Sequence, residues 1–573
     1  MLSCETRFQA YDPLPAIWGE GAIFAFSGID GPTCSASNFV LAYGGEPFDL
    51  LIHTAEPHVM RLRLLDPGTV MVATNDCLLV ETPRGELIVT FSAWHTVAGQ
   101  LPEGATSELA ALPAVAETDP WAPHYDPRPL TDTETVILRQ RGSRFALAYG
   151  ETPEIAGTRA EAGLAADLLS EVAQRLAFYD ALPLRTDAGE TRFLRKCASV
   201  MKANTLAPEG AIQRHWSTPD RIPHRHMWLW DSVFHSFAMN RVDPRLSWEF
   251  LMAILEAQQP DGMVPHVKTV SGRTSDVTQP PLLAWGLWEN YAALGDKESL
   301  AEAFPRLEAY LTWNLSHRDR NGNGLLEWAI EANAKSRSGE SGMDNCSRFD
   351  GAVILDAPDF SAYQAHDMAC LARIAEVLNL SEQAGLWRER SRAMSQAIQA
   401  RLWNPAKQFY CDRDMDGSFI PVRAVAGFMP LLLEDVPPRR VDALEGALLD
   451  PTAFGAVCPI PSVALDEPTW STDMWRGASW INMNAMTILG LRRHGRDATA
   501  RWLAERTIAF VREAYERYGV LFEFYDANGQ RPPMACDRKG PVSGHYDIRA
   551  KYEVIRDYHW TAALCFELML RSF

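Results

Sequence analysis

The strongest constraint in this 573-residue sequence is a change of pattern near Gly189, after which segments with helical periodicity continue to the C-terminal region. Apolar residues recur there at spacings of three and four, as in the run from Leu371 to Leu378. Prolines in first turns and Asp or Ser caps indicate several helix starts. We predict twelve helices, which begin near Gly189, Trp228, Pro244, Pro280, Lys297, Asp359, Ser381, Pro421, Pro437, Trp475, Ala498 and Arg556.

Turns rich in Asp and Gly, with short extended pieces, separate several of these helices at 261–266, 319–328, 412–421 and 526–532. Twelve helices joined in this way fit helical hairpins closed into a ring. We therefore predict a mainly α protein with an (α/α)6 barrel at residues 189–573. In such a ring the long connections gather at one end, and functional sites are commonly built on loops.

The N-terminal part has a different pattern. Short segments rich in Val, Ile, Leu and Thr are separated by Gly, Pro, Asp and Asn, which is typical of strands in a sandwich. We predict a β-sandwich-like domain at 1–158, a long loop at Pro113–Pro129, and a connecting helix at Ala160–Leu182 within a linker at 159–188. The clearest predicted strands are Thr69–Thr74, Cys77–Glu81, Glu86–Phe91 and Thr135–Gln140.

Composition excludes several classes of partner. The formal net charge of -19 would repel a phosphate backbone or an anionic bilayer surface, so we predict no nucleic-acid or membrane partner. No basic segment followed by an apolar run occurs near the N terminus, so no secretory signal is predicted. The ten Cys include no CxxC pair, which favours reduced thiols and a cytoplasmic location. The sequence does not indicate the oligomeric state.

Carboxylates, aromatic residues and glycines occur together in a few segments, at 226–235, 278–286, 340–350 and 475–480, followed by 522–526. A carboxyl group can act as acid, base or hydroxyl-binding group, and an apolar aromatic environment raises its pKa and makes it a better proton donor. The alternative for each carboxylate is a structural role, as a helix cap or as the partner of an arginine.

The segment Ser341-Gly342-Met343-Asp344-Asn345, followed by Arg348-Phe349-Asp350, closely resembles the acid-bearing loop of glycoside hydrolase family sixty-three. That family includes α-glucosidases, mannosylglycerate hydrolases and glucosylglycerate hydrolases, and the trehalase family has a related loop with Trp in place of Met343. Five further segments resemble the family's motifs in the same order: Trp230-Asp231-Ser232, Gln279-Pro280-Pro281, Arg476-Gly477 with Trp480, Phe522-Glu523-Phe524-Tyr525, and His559-Trp560-Thr561-Ala562-Ala563. The resemblance spans about residues 190–573, and it departs from the family at Ala478-Ser479, where substrate contacts would differ.

The resemblance implies an (α/α)6 barrel and an inverting glycoside hydrolase. Asp344 would be the general acid and Glu523 the general base, and Asp231 would hold sugar hydroxyls in the -1 subsite. Trp230, Gln279, Arg476 and Trp480 would line that subsite, with Trp560 beneath it. The implied substrate is a small carbohydrate, namely a short α-glucoside or a related α-glycoside such as a disaccharide or a glycosylglycerate.

Two other functions remain open at this point. One is another (α/α)6 enzyme, such as a phosphorylase, an epimerase or a rhamnosidase. The segment around Glu523 favours activation of water over a phosphate site. The other is a non-catalytic sugar-binding protein, against which the presence of both carboxylates argues.

The sequence indicates no required cofactor, but one loop suggests a structural calcium ion. Asp319, Asn321, Asn323 and Glu327 place oxygen atoms at positions one, three, five and nine, as in the first part of a calcium loop. Ile330 stands where the bidentate Glu at position twelve is expected, and turns of this composition also form for backbone reasons alone. A zinc site at His224, His226 and His235 is disfavoured, because the spacing matches no known pattern.

Overall fold

Antiparallel strands form the N-terminal part of the computed structural model, which describes residues 11–37, 39–54, 56–112, 134–333, 335–548 and 553–571. Their bounds are Ile23–Phe24 (β1), Val40–Tyr43 (β2), Asp49–His53 (β3), His58–Arg63 (β4), Thr69–Ala73 (β5), Cys77–Thr82 (β6), Gly85–Ala93 (β7), Thr96–Gln100 (β8), Thr106–Ala111 (β9), Thr135–Arg141 (β10) and Arg144–Gly150 (β11). One sheet has the order β1-β2-β3-β4-β9 and the other the order β10-β11-β8-β7-β6-β5. The predicted loop at Pro113–Pro129 lies outside the described residues.

The two sheets pack face to face because alternate residues of their strands are apolar. Leu50 and Ile52 of β3 share one buried core with Leu78 and Val80 of β6 and with Val89 of β7. A period of two places such residues on one face of a strand. The N-terminal sheets therefore form the expected β-sandwich.

The opposite face of the second sheet is covered by a pair of helices, Pro153–Ala165 (α1) and Leu168–Asp180 (α2). Val172 and Leu176 of α2 belong to the same buried core as Leu79 and Ile88 of that sheet. The prediction of one continuous helix at Ala160–Leu182 is wrong, because Ala166 is extended and the Asp167 side chain caps α2. The domain boundaries proposed from the sequence stay predictions.

Helices dominate the chain after residue 187. They are Ala188–Ala203 (α3), Leu229–Met239 (α4), Pro244–Leu255 (α5), Leu283–Leu294 (α6), Lys297–His317 (α7), Pro358–Val377 (α8), Ser381–Arg401 (α9), Pro438–Leu449 (α10), Ile481–Arg493 (α11), Asp497–Tyr518 (α12) and His559–Leu570 (α13). Short strands in the connections are Thr205–Leu206, Trp216–Ser217, Met227–Trp228, Val267–Lys268, Glu327–Ala329, Ile354–Asp356, Trp403–Asn404, Phe409–Tyr410 and Arg413–Asp414.

Two predicted helix starts need correction. The helix expected near Pro421 is a 3₁₀ helix at Val425–Leu432, and it contains Pro430, which has no backbone N–H to donate. The helix expected near Trp475 is α11, which begins only at Ile481. Trp475 itself lies in a short 3₁₀ turn at Met474–Arg476 that ends at Gly477.

Alternate helical elements form an inner ring. α4, α6, α8, the 3₁₀ helix at 425–432, α11 and α13 pack each against the next, and α13 returns to contact α4. Every residue of α4 is buried, as expected for a helix surrounded by protein. The outer helix α9 instead buries a stripe that includes Ala384, Trp387, Ser391 and Met394. These contacts define an (α/α)6 barrel.

The ring also explains where a site can form. Each outer helix returns the chain, so the inner helices begin at the same end of the barrel. Asp231 lies in the first turn of α4, Trp480 is the N-cap of α11, and Trp560 lies in the first turn of α13. Residues from motifs that are distant in sequence are therefore brought together at one end.

One buried carboxylate of the barrel, that of Asp557, connects it to the sandwich. The Lys196 Nζ of α3 lies 2.9 Å from the Asp557 Oδ1, and both side chains are buried. Asp557 also accepts hydrogen bonds from the Ile23 backbone N–H of β1 (3.1 Å), the Asn75 Nδ2 (2.7 Å) and the Leu521 backbone N–H (3.2 Å). One carboxylate therefore joins parts of both sheets, α3 and the segment that leads to Glu523.

No helix in the described ranges has both the length and the apolar character that crossing a bilayer requires.

Replacing Asp557 should destabilise the fold strongly. Asp557→Ala leaves the Lys196 ammonium buried without its carboxylate, which typically costs about 3–5 kcal/mol. We expect urea unfolding, followed by tryptophan fluorescence, to shift to clearly lower urea concentration. Asp416→Ala, at an exposed turn, is the control. Equal midpoints for the two variants would show that the junction contributes little.

Candidate active site

A cavity of about 670 Å³ opens at the end of the barrel where the inner helices begin. Of the catalytic and subsite residues implied by the resemblance, those that line it are Trp230, Asp231, Gln279, Asp344, Trp480, Glu523 and Trp560. Arg476 is not among the lining residues. The volume falls within the usual range for small-molecule sites.

The base of the cavity is aromatic. The Trp475 and Trp480 rings are stacked, with centroids 3.8 Å apart and an interplanar angle of 3°. The Trp230 ring is perpendicular to that of Trp560 at 5.4 Å. Aromatic rings of this kind offer apolar faces against which the apolar face of a sugar ring can pack.

Arg348 anchors the loop that carries Asp344. Its guanidinium is fully buried, and its nitrogens lie 2.5 Å from the Asp359 Oδ2 and 2.8 Å from the Asp412 Oδ1. Burial raises the pKa of Asp412 to about 7, although the Arg348 charge opposes that shift. The Arg348-Phe349-Asp350 part of the motif is thus structural, because it fixes the loop from behind.

Gly342 allows the same loop to approach the cavity wall. Its φ is +72°, in the left-handed region, and a Cβ atom there would lie 2.3 Å from the Trp230 ring. Only glycine satisfies both the backbone conformation and the contact. The motif glycine therefore places Asp344 beside the aromatic wall.

Arg476 makes a second set of contacts with the loop that carries Asp344. Its guanidinium donates two hydrogen bonds to the Asp350 carboxylate (2.8 and 2.7 Å) and one to the Asn345 carbonyl (3.2 Å). The Asn345 side chain in turn donates to the Asp473 Oδ1 (3.0 Å) and accepts from the backbone N–H of Trp475 (3.1 Å). Arg476 therefore holds the loop and is not among the residues that line the cavity, and its expected place in the subsite stays a prediction.

Glu523 lies between α12 and α13 in an extended segment. Its backbone N–H donates to the Ile555 carbonyl (3.0 Å), and Tyr525 exchanges two backbone hydrogen bonds with Ser479. The buried Glu523 carboxylate accepts from the Arg538 Nε (2.7 Å) and Nη2 (3.2 Å). The guanidinium therefore fixes the orientation of both carboxylate oxygens.

The neighbouring residue, Lys539, pairs with the other carboxylate. Its Nζ lies 2.5 Å from the Asp344 Oδ2, and both groups line the cavity. Neither Arg538 nor Lys539 was predicted to belong to the site. The sequence signal is weak, because they are two adjacent basic residues in a turn-rich segment that belongs to none of the motifs.

Asp231 is a buried acid that lines the same cavity. Burial raises its pKa well above the ordinary value, and the nearby carboxylates of Asp220, Glu523 and Asp344 act in the same direction. A hydrogen bond from its own backbone N–H opposes that shift only partly. A strongly perturbed acid in a cleft is a candidate functional group.

The histidines near the cavity have other partners. The His235 ring hydrogen-bonds to the Ser217 Oγ (2.9 Å) and stacks on His559, and the His224 Nδ1 lies 2.8 Å from the Asp220 Oδ2. Burial lowers the pKa of His266, which lines the cavity, to about 4, so that its ring is neutral at pH 7. Within the described residues, no cluster of His, Cys, Asp and Glu could hold a metal ion.

The proposed calcium loop is folded as a hydrogen-bonded turn. The Asp319 and Glu327 carboxylates each accept hydrogen bonds from two backbone N–H groups of the loop, at 2.8–3.1 Å. The Asn321 and Asn323 side chains donate to the Asp356 carboxylate at 3.1 and 2.7 Å. Because the carboxylate oxygens already have donors, the arrangement favours the turn, and calcium stays a hypothesis.

These features define a carbohydrate-processing enzyme of the (α/α)6 class, with carboxylates over an aromatic base. The family described as mannosylglycerate hydrolase MGH1-like glycoside hydrolase domain matches residues 224–561. The chain belongs to this family and is a glycoside hydrolase.

Individual relatives agree with this assignment. Mannosylglycerate hydrolase MGH1 from Selaginella moellendorffii is 24% identical over 463 residues, which cover 66% of this chain and 86% of that protein. The crystal structure of the GH63 mannosylglycerate hydrolase from Thermus thermophilus in complex with glucose has a TM-score of 0.53 at 24% identity and covers 66% of this chain and 100% of that chain. A bacterial glucoamylase complexed with acarbose, at 11% identity and a TM-score of 0.58, covers 97% of this chain and 96% of its own, so its fold extends over the sandwich as well.

Neutralising Asp231 should stabilise the protein while altering its site. Because the folded-state pKa of Asp231 is raised above the unfolded value of 3.8, the folded state is penalised increasingly as the pH rises above that value. Asp231→Asn should therefore raise the Tm more at pH 8 than at pH 4. Asp416→Asn, at an exposed position, is the control. An Asp231→Asn variant with no pH-dependent gain would contradict the assigned cause.

Removal of divalent cations tests the loop at 319–327. If its carboxylates are satisfied by backbone N–H groups, EDTA should leave the melting curve unchanged, and elemental analysis should find no stoichiometric calcium. A bound ion would stabilise the folded state by mass action. A fall in Tm that is restored by added calcium would establish the site.

Proposed function

We propose that this chain is an inverting α-glycosidase that acts on a glycosylglycerate, releasing glucose or mannose from the glycerate. The main support is that Asp344 and Glu523, carried by different loops, line one cavity with an aromatic base. The family membership and the names of these relatives, which are mannosylglycerate hydrolases, favour a glycosylglycerate over a disaccharide.

In this mechanism Asp344 protonates the glycosidic oxygen. At the same time Glu523 takes a proton from a water molecule, which attacks the anomeric carbon from the opposite face. The C–O bond to the aglycone breaks as the new C–O bond forms, and no covalent sugar–enzyme bond is made. Arg538 holds the Glu523 carboxylate through two hydrogen bonds, which orients the base toward the water.

The remaining lining residues fit sugar recognition. Asp231, at the start of α4, offers a buried carboxylate that sugar hydroxyls can satisfy. The Gln279 Oε1 accepts a hydrogen bond from the Trp230 backbone N–H (3.1 Å), which fixes the amide beside the ring. Buried polar groups with fixed orientation distinguish substrates that complete their hydrogen bonds from those that do not.

A substrate panel with product analysis tests the proposal. Purified protein is incubated with α-mannosylglycerate, α-glucosylglycerate, trehalose and other α-disaccharides, with and without phosphate. We expect phosphate-independent cleavage of a glycosylglycerate. Proton NMR in the first minutes should show the β-anomer as first product, because direct attack inverts the anomeric centre. The α-anomer as first product, or a sugar phosphate, would overturn the mechanism.

Two variants separate the roles of the carboxylates. Asp344→Asn should lower kcat by more than ~100-fold on substrates with poor leaving groups, because an amide cannot donate the proton. Activity on an activated glycosyl fluoride should suffer much less. Glu523→Gln should lose activity on both, since each requires an activated water. Circular dichroism checks that both variants are folded.

A further inference from the structure

Two consecutive residues of one turn neutralise the two proposed catalytic carboxylates. Arg538 pairs with Glu523 through two hydrogen bonds, and the Lys539 ammonium lies 2.5 Å from the Asp344 Oδ2. Arg538 and Glu523 are both 3% exposed, whereas Lys539 is 12% and Asp344 24% exposed. Both pairs line the cavity, and the lysine pair is the more exposed of the two.

The Lys539 backbone is held firmly while its side chain ends in the cavity. Its φ is +53°, in the left-handed region, and its N–H donates to the Asp473 Oδ1 at 2.6 Å. The same Asp473 oxygen accepts from the Asn345 side chain, next to Asp344 in the acid loop. The turn and the acid loop therefore share an anchor, so that Lys539 stays beside Asp344 as the loops are positioned.

The contact conflicts with the role of Asp344 as an acid. An ammonium group carries only donors, so it occupies the Asp344 Oδ2 as a donor to a carboxylate. A general acid must instead carry its own proton on an oxygen that reaches the glycosidic oxygen. While the ammonium holds Oδ2, only Oδ1 remains to carry that proton, so release of Lys539 makes both oxygens of Asp344 available for proton transfer.

The carboxylate of a glycerate aglycone is a group that could replace Asp344 as the partner of the Lys539 ammonium. When glycerate is linked through its C2 hydroxyl, the glycosidic oxygen and the carboxylate group are attached to the same carbon atom, C2. A side chain that touches the acid is then next to the aglycone carboxylate as well. Without a nearby cation, that carboxylate would meet Asp344, Glu523 and the buried Asp231 in the same cavity.

We propose that Lys539 recognises the carboxylate of an anionic aglycone and that this carboxylate takes the ammonium away from Asp344. The inference rests on the proposed function and deepens it. With the ammonium withdrawn, either oxygen of Asp344 can carry the proton that passes to the glycosidic oxygen as the C–O bond breaks. Glu523 gains a proton from the attacking water, and proton exchange with solvent restores both groups. An anionic aglycone thus frees the acid from its competing partner.

The other lining cations are less suited to this role. In the described residues that line the cavity, the remaining Arg and Lys side chains are Arg273 and Arg538. Arg538 already forms its bidentate pair with Glu523. Arg273 lies on an exposed turn, where solvent screens its charge and weakens any ion pair that it forms.

The test compares a glycosylglycerate with the matching neutral glycosylglycerol, in which a hydroxymethyl group replaces the carboxylate. We expect Lys539→Met to lower kcat/KM for the glycosylglycerate by about 10- to 100-fold, the size expected for one hydrogen bond to a charged group. The same variant should raise kcat for the glycosylglycerol, because Asp344 is released. Lys539→Arg should retain the preference for the anionic substrate.

Matched variants define the controls. Lys268→Met also removes a lysine charge near the cavity, because Lys268 lies between the lining residues Val267 and Thr269 without lining the cavity itself. This variant should leave the ratio of kcat/KM for the two substrates unchanged. Equal losses on both substrates in Lys539→Met would overturn the inference, since a structural role acts on both alike. If Arg273→Met, and not Lys539→Met, abolished the difference in kcat/KM between the two substrates, the inference would also be overturned.

Binding of the product separates this inference from the proposed function. Calorimetry with D-glycerate and with glycerol requires no turnover. Wild-type protein should bind D-glycerate in preference to glycerol, and Lys539→Met should lose that preference. If no glycoside is cleaved, the proposed function fails and the binding result still decides the role of Lys539. If only neutral glycosides are cleaved and glycerate does not bind, the inference fails while the hydrolase activity stands.

Discussion

The buried carboxylate of Asp557 is the point on which the two halves of the molecule depend. A charge without access to water must be matched by donors, and those of Asp557 come from Lys196, Ile23, Asn75 and Leu521. Separating the sandwich from the barrel would remove two of these donors, those of Ile23 and Asn75. Because Leu521 lies two residues before Glu523, the same junction fixes the segment that carries the proposed base. The sandwich therefore supports the geometry of the cavity, even though none of its described residues line that cavity.

Much of the barrel could be predicted because its helices obey local rules. Apolar residues recur at spacings of three and four, and inner helices such as α4 and α8 bury most of their residues and are rich in apolar ones, so the helices are visible in the sequence. The errors in the predicted helices lie where tertiary contacts determine the local backbone conformation. The break between α1 and α2 depends on the cap formed by Asp167, and the inner element at 425–432 adopts a 3₁₀ form around Pro430. Neither feature alters the hydrophobic pattern, so periodicity alone predicts a regular helix in both places.

The residues of the site likewise differ in how far the sequence alone could indicate them. Some residues that line the cavity, such as Asp231 and Asp344, could be predicted from the sequence. They lie at the start of an inner helix or in a compact motif, and ring closure brings such positions together. Arg476 shows the limit of a motif, which records that a residue is needed without saying whether it contacts the substrate or the loop behind it. Arg538 and Lys539 could not be found at all. Their role arises from proximity to carboxylates on other segments, and a turn has no periodicity from which that proximity could be inferred.

The balance of charge in the cavity connects stability with binding. Arg538 and Lys539 compensate Glu523 and Asp344, whereas burial raises the pKa of Asp231 and nearby carboxylates raise it further. Burying such a group costs stability unless hydrogen bonds satisfy it. In the proposed function sugar hydroxyls would supply those hydrogen bonds, so substrate binding would offset the cost of burying the Asp231 carboxylate. A site that pairs two of its acids with cations and leaves the third to the ligand therefore favours a polyhydroxylated substrate over an apolar one of the same size.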